Sequence, residues 1–128
     1  MEFKDRQSIY LQIADRICDG ILLGKWQPGE RIPSVRELAV TMEVNPHTIL
    51  RSYEYLQNRN IIFNKRGLGY SVSASGKEQI IAYRKERFIE QELPLFLSTL
   101  VLLNIGMDEV KAHYDTLVSK NNSVEHNL

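Results

Sequence analysis

Arg36, His47, Arg51, Lys65 and Arg66 are the side chains whose types and spacing could do chemistry. That chemistry is charge pairing and hydrogen bonding with a polyanion. Ser34, Asn45 and Thr48 stand among them as short hydrogen-bonding groups. Gly67 follows Arg66 and would let the backbone approach a phosphate or a minor groove closely. Arg36 is the strongest candidate for reading a base. A guanidinium fork on a guanine edge provides about 1–3 kcal/mol of base discrimination.

Bond-making chemistry finds little support. His47, His113 and His126 are scattered along the chain. His113 and Asp115 are two apart on an expected helix and so face different sides. Gly67-Leu68-Gly69 lacks the strand-to-helix setting of a phosphate-cradling loop. Cys18 is the single cysteine; it falls on an apolar helical face and reads as a small buried hydrophobe. No disulfide can form within the chain, and no Cys/His spacing suggests zinc. No catalytic residue, metal or cofactor is expected.

The elements that must position the cations are written locally. Ser34 can cap a helix from Val35 to Met42, with Glu37 three residues on to complete a capping box. Asn45 can cap a second helix from Pro46 to about Arg59, with proline where its missing N–H costs nothing. Two capped helices so close together read as a helix-turn-helix, whose second helix would enter the major groove. Ile49, Tyr53 and Leu56 point inward by their spacing, whereas His47, Arg51 and Tyr55 form a row on a different face. Asn60 suits a left-handed cap.

Residues 61–65 and 69–73 read as two strands joined by Arg66-Gly67-Leu68. A hairpin in this place is the wing of a winged helix, with Lys65, Arg66 and Gly67 at its tip. Upstream, Ile9, Ile13 and Ile17 form an apolar row widened by Tyr10, Ala14, Ile21 and Leu22. Gly24 ends that helix, and Trp26-Gln27-Pro28-Gly29 makes a turn.

Sixteen basic and sixteen acidic residues cancel over the 128 residues, so the distribution matters more than the sum. Residues 45–75 hold Arg51, Arg59, Lys65 and Arg66 against one acid, Glu54. Cations therefore gather where helix and hairpin would meet phosphate. The excess is mild, and dimerisation would double it.

Ser75-Gly76 marks the expected domain boundary. Beyond it a charged helical stretch gives way to an apolar one, with Pro94 kinking or splitting the helix between them. Gly106 is expected to stop it, and Asp108 to cap a last helix. Phe88, Leu93, Leu95, Phe96, Leu100 and Leu103, with Tyr114 and Leu117 on the last helix, leave apolar surface that needs a cover. A second copy about a two-fold axis is the simplest cover; the alternative is packing back on the winged helix. The apolar run 93–105 is shorter than the roughly 20 residues a membrane span needs and contains Ser98, Thr99 and Asn104. The polar N-terminus is no signal peptide. A cytoplasmic protein with no membrane partner is expected.

The run from Pro28 to Ala39, PGERIPSVRELA, resembles the signature of the GntR family of bacterial transcription regulators. So do Val44-Asn45-Pro46-His47-Thr48-Ile49, Tyr53 and Leu56, the closing Arg66-Gly67-Leu68-Gly69-Tyr70-Ser71-Val72, and the opening Ser8 to Ile13. The remaining tail is too short for the larger effector domains of most subfamilies and looks like the YtrA subfamily. The resemblance implies DNA contacts at Ser34, Arg36, Asn45, His47, Thr48, Arg66 and Gly67. Many relatives have a basic residue at the position of Leu50; here it is Arg51, one step on. One step turns a side chain by about 100° around the helix. Arg51 is accordingly expected to clamp phosphate, below Arg36 in base reading. Asn60 stands where relatives usually have glycine.

The expected fold is mostly α with a small β-hairpin wing. A winged helix-turn-helix domain at 1–75 precedes a helical dimerisation region at 76–121 and a disordered tail at 122–128. The expected function is a homodimeric repressor that binds double-stranded operator DNA. The alternative is a winged-helix adaptor that binds proteins and not DNA. Nothing in the sequence points to an effector ligand.

Overall fold

The structure is a computed structural model that describes residues 8–126, with side chains described through residue 122. Six α-helices and one hairpin follow in order: α1 (Ile9–Leu22), α2 (Val35–Met42), α3 (Pro46–Asn58), β1 (Ile62–Lys65), β2 (Gly69–Val72), α4 (Gly76–Arg87), α5 (Leu93–Leu102) and α6 (Met107–His126). A π-helical turn, Phe88–Glu92, joins α4 to α5. The chain divides into two compact units, Met1–Lys85 and Glu86–Leu128.

In the first unit, α1 buries Ile13, Ala14, Ile17, Cys18 and Ile21. Ile9, expected in that row, is 60% exposed, because the core begins one helical turn further on. The helix closes on Gly24 at φ 83°. The N–H of Lys25 then reaches the Gly20 carbonyl at 2.8 Å and that of Gly24 reaches Ile21 at 3.1 Å. This pattern satisfies two terminal carbonyls of the helix. A Cβ on Gly20 would lie 2.5 Å from the Trp26 ring, so a glycine inside the helix makes room for the indole.

The caps of α2 and α3 form as their residues dictate. The Ser34 Oγ accepts from the Glu37 N–H at 3.1 Å, and the Ser34 N–H donates to the Glu37 Oε1 at 2.9 Å. Hydrogen bonding to the carboxyl from the Ser34 N–H, and secondly from the Ser34 hydroxyl, holds Glu37 below its ordinary pKa. The Asn45 Oδ1 accepts from the His47 N–H at 2.8 Å. Ile49, Tyr53 and Leu56 are fully buried, and Ala39 of α2 joins them in one core. Asn60 takes the left-handed conformation at φ 62°. It sends the chain into β1.

β1 and β2 pair antiparallel with Lys65 opposite Gly69, leaving Arg66-Gly67-Leu68 as the loop. The segment before α2 lies along β2. Ile32 N–H donates to Tyr70 carbonyl at 3.0 Å, and Val72 N–H donates to Glu30 carbonyl at 3.0 Å. The wing is thus tied to the approach to the helix-turn-helix.

α4 belongs to the first unit, which extends past Ser75-Gly76 to Lys85. Ile80 and Tyr83 are buried, and Arg84 pairs with Asp19 of α1 at 2.8 Å. In the second unit Pro94 opens α5 directly after the π-helical turn. That turn changes the hydrogen-bond register where proline would otherwise remove a bond. Asn104, not Gly106, is the left-handed stop, at φ 57°. Ile105 N–H donates to the Leu100 carbonyl at 2.9 Å to close the motif. Asp108 does not cap α6: the helix starts at Met107, and the Gly106 carbonyl takes the first N–H bonds. α6 continues to His126, through residues where the sequence suggests a frayed tail. Residues 127 and 128 lie outside the described residues.

Two outcomes are expected. Tyr53→Phe removes the hydroxyl that donates to the Pro33 carbonyl. It should lower stability by about 1 kcal/mol in urea unfolding. Burial pushes the Cys18 thiol up to about 12. At pH 7 the native protein should react with a thiol reagent only as it unfolds, and rapid stoichiometric labelling would contradict this burial.

Candidate nucleic-acid interface

All nine residues singled out for DNA contact lie in the first unit, at three places. Ser34 and Arg36 stand at the start of α2, Asn45, His47, Thr48 and Arg51 at the start of α3, and Lys65, Arg66 and Gly67 at the wing tip. Arg36, His47, Lys65 and Arg66 are exposed and make no ion pair with any other described residue. Asn45 and Gly67 are exposed too, while Ser34 and Thr48 are half-buried. Gly67 has φ 78°, a left-handed conformation that lets the three-residue loop close.

His47, Thr48 and Arg51 come together. With Ser8, Ile9 and Tyr10 they line a shallow concavity of about 310 Å³. Arg51 is not a free surface cation, because its guanidinium lies 4.0 Å from the centre of the Tyr10 ring. Tyr55, expected on the same free row, is instead packed. Its ring stands edge-on to Tyr10 at 6.1 Å and to Tyr83 at 5.9 Å. Its hydroxyl shares a 2.9 Å hydrogen bond with that of Tyr83. Arg59 lies over both Tyr55 and Tyr83. Helical spacing puts Tyr55 on the row of His47 and Arg51, but the neighbouring helices α1 and α4 reach one end of that row and cover it.

Sequence reasoning missed Arg31 and Tyr10. Arg31 is exposed and covers Gly69 of the wing, where an added Cβ would lie 3.3 Å from its Nε. Gly69 sits at φ 83°, so the wing needs glycine there for its backbone conformation. The alternation of β2 gave no sign of this, since the contact comes from a segment distant in sequence. Tyr10 read as core by its period alone.

The residues offered for self-association all lie in the second unit. Phe88, Leu95, Phe96, Leu103, Tyr114 and Leu117 are exposed in the single chain. Leu93 is half-buried, and Leu100 is already buried without a second copy. Among the described residues no helix is long and apolar enough to cross a membrane. No group of three or more His, Cys, Asp or Glu among them could hold a metal ion.

Comparison with known proteins agrees with this arrangement. Residues 9–72 match the family of bacterial regulatory proteins of the gntR type. The HTH-type transcriptional regulator YhcF of Bacillus subtilis is 32% identical over 109 residues, covering 85% of this chain and 88% of that protein. The HTH-type transcriptional repressor YtrA of the same organism is 35% identical over 83 residues, 65% of this chain and 64% of that protein. A GntR-family regulator from Bacteroides thetaiotaomicron superposes with a TM-score of 0.78 at 46% identity, over 89% of this chain and 99% of that one. The DNA-binding domain of AraR, solved with its operator ORE1, superposes with a TM-score of 0.51 at 28% identity, over 52% of this chain and 82% of that one. A capped helix pair, a cationic wing and this match over residues 9–72 together make the chain a member of the GntR family, a DNA-binding transcription regulator and not an enzyme.

Proposed function

We propose that the chain is a homodimeric repressor of the bacterial cytoplasm that occupies a two-fold-related operator. The observation that carries this is the set of exposed cations Arg36, His47, Lys65 and Arg66, none of them in an ion pair with a described residue, on a winged helix where Glu37 is engaged in a cap and Asp19 in an ion pair. In this reading Arg36 reads a base edge, and His47 and Thr48 enter the major groove with the start of α3. Arg51, Lys65 and Arg66 hold phosphate, and Gly67 brings the wing backbone close. AraR in complex with its operator supports DNA of this kind as the partner, and the repressor YtrA supports the direction of control.

A single winged helix with so few phosphate contacts binds weakly at physiological salt. Two linked copies share one duplex and gain effective concentration. The exposed apolar side chains of the second unit supply the link: Phe88, Leu95, Phe96 and Leu103 with Tyr114 and Leu117. Patches of this kind on a small chain mark interfaces, and a closed two-fold pairing covers both at once.

Sedimentation of the purified protein should give a dimer. Footprinting on the DNA upstream of its own gene should protect two related half-sites, with affinity falling steeply as salt rises. A verified dimer with no preference over unrelated duplex would instead support a protein-binding adaptor, and a monomer would remove the two-fold scheme. Arg36→Ala should lose about tenfold or more of the preference for operator over unrelated DNA. Arg51→Ala should weaken both duplexes alike, and equal loss of preference in the two variants would contradict these roles.

A further inference from the structure

We infer that Tyr10 is a positioning residue for DNA binding: its ring holds the Arg51 guanidinium as a preset clamp for a backbone phosphate at the start of the recognition helix. The inference rests on the DNA-binding reading above and deepens it, since it says how Arg51 is held ready for phosphate.

Arg51 lies in the second turn of α3, on the side of that helix that faces α1. The guanidinium then lies 4.0 Å from the centre of the Tyr10 ring, and the residue stays exposed. A guanidinium held over a ring face spends no N–H donor on an acceptor there. It has no acidic partner among the described residues. It is thus a cation fixed in place without being neutralised. A free arginine would lose rotamer entropy when ordered on a phosphate. Stacking in the unbound protein removes part of that cost in advance.

The platform is itself held. Tyr10 is half-buried, and its ring stands edge-on to Tyr55, which hydrogen-bonds Tyr83. The Tyr10 carbonyl accepts from the Oγ of buried Ser52 at 2.7 Å, next to Arg51 in sequence. That bond fixes the first turn of α1 against α3. The concavity formed there is lined by Ser8, Ile9, Tyr10, His47, Thr48 and Arg51. Donors predominate in it: the guanidinium, the imidazole and the Ser8 and Thr48 hydroxyls. None of its six residues is acidic. Phosphate oxygens, which only accept, fit such a lining.

The test is a binding series on operator and on unrelated duplex over a range of salt, with the wild type, Tyr10→Phe, Tyr10→Leu, Arg51→Ala, Arg51→Lys and the double variant Tyr10→Leu/Arg51→Ala. The Tyr10 hydroxyl makes no hydrogen bond with any other described residue, so Tyr10→Phe keeps the platform and should bind as the wild type does. Tyr10→Leu should weaken both duplexes by about two- to fivefold, the size of an exposed cation–π contact. Arg51→Ala should lower the salt slope by about one. The double variant should be no weaker than Arg51→Ala alone, because the ring acts through the arginine. Additive losses, or Tyr10→Leu indistinguishable from the wild type, would overturn the inference while leaving DNA binding intact. If Tyr10→Leu fails to fold, Arg51→Lys decides, since it keeps the charge but loses the planar stack. It should weaken both duplexes, and wild-type affinity would overturn the clamp. A wild type that binds neither duplex would instead remove the DNA-binding reading itself.

Discussion

One hydrogen bond organises the reading head: the hydroxyl of Tyr53, buried on α3, donates to the carbonyl of Pro33. Pro33 directly precedes Ser34, so the bond holds α3 against the cap of α2. The same ring stands edge-on to Tyr70 of β2 at 4.9 Å. A single side chain therefore fixes the recognition helix relative to the first helix of the motif and to the wing. Burial pushes the Tyr53 hydroxyl well above its ordinary pKa, so it remains a donor at any pH the protein meets. An ionised tyrosine in that place could not donate, and the Pro33 carbonyl would be left without its partner.

What the sequence made legible is what short-range chemistry decides. Ser34 with Glu37, Asn45 with Pro46, Gly24, Asn60 and Gly67 each act on neighbours within a few residues, and each does in the structure what its type suggests. The errors fall where a distant element decides. Helical spacing assigns Ile9 to a stripe but cannot say where along the stripe the core ends. It places Tyr55 on the row of His47 and Arg51 but does not show that α1 and α4 cover it. Arg31 over Gly69 is of the same kind. At the end of α5, Asn104 and Gly106 both suit a left-handed stop, and type alone does not rank them.

The end of the first unit illustrates the same limit. Ser75-Gly76 has the composition of a linker, yet a Cβ on Gly76 would lie 2.9 Å from Val72, so the chain turns there without leaving the wing. α4 then packs through Ile80 and Tyr83 and is pinned by Arg84, which bonds both the Asp15 carbonyl and the Asp19 carboxylate. α4 carries charges that the sequence places at the start of a helical dimerisation region. The pairing of Arg84 with α1 makes one of those charges structural.

The caps also shape what the head can recognise. Ser34 spends its acceptor on the Glu37 N–H, and Asn45 spends its carbonyl oxygen on the His47 N–H. The Ser34 hydroxyl also bonds the Glu37 carboxylate, whereas the amide N–H₂ of Asn45 is left as a donor. Glu37, the acid nearest this edge in sequence, accepts from the Ser34 N–H and lies within the field of Arg31. Folding thus engages an acceptor at each helix start and leaves the Asn45 amide donors beside His47. A duplex backbone offers only acceptors, and an edge that carries Arg36, His47 and the Asn45 amide has the donors to suit it.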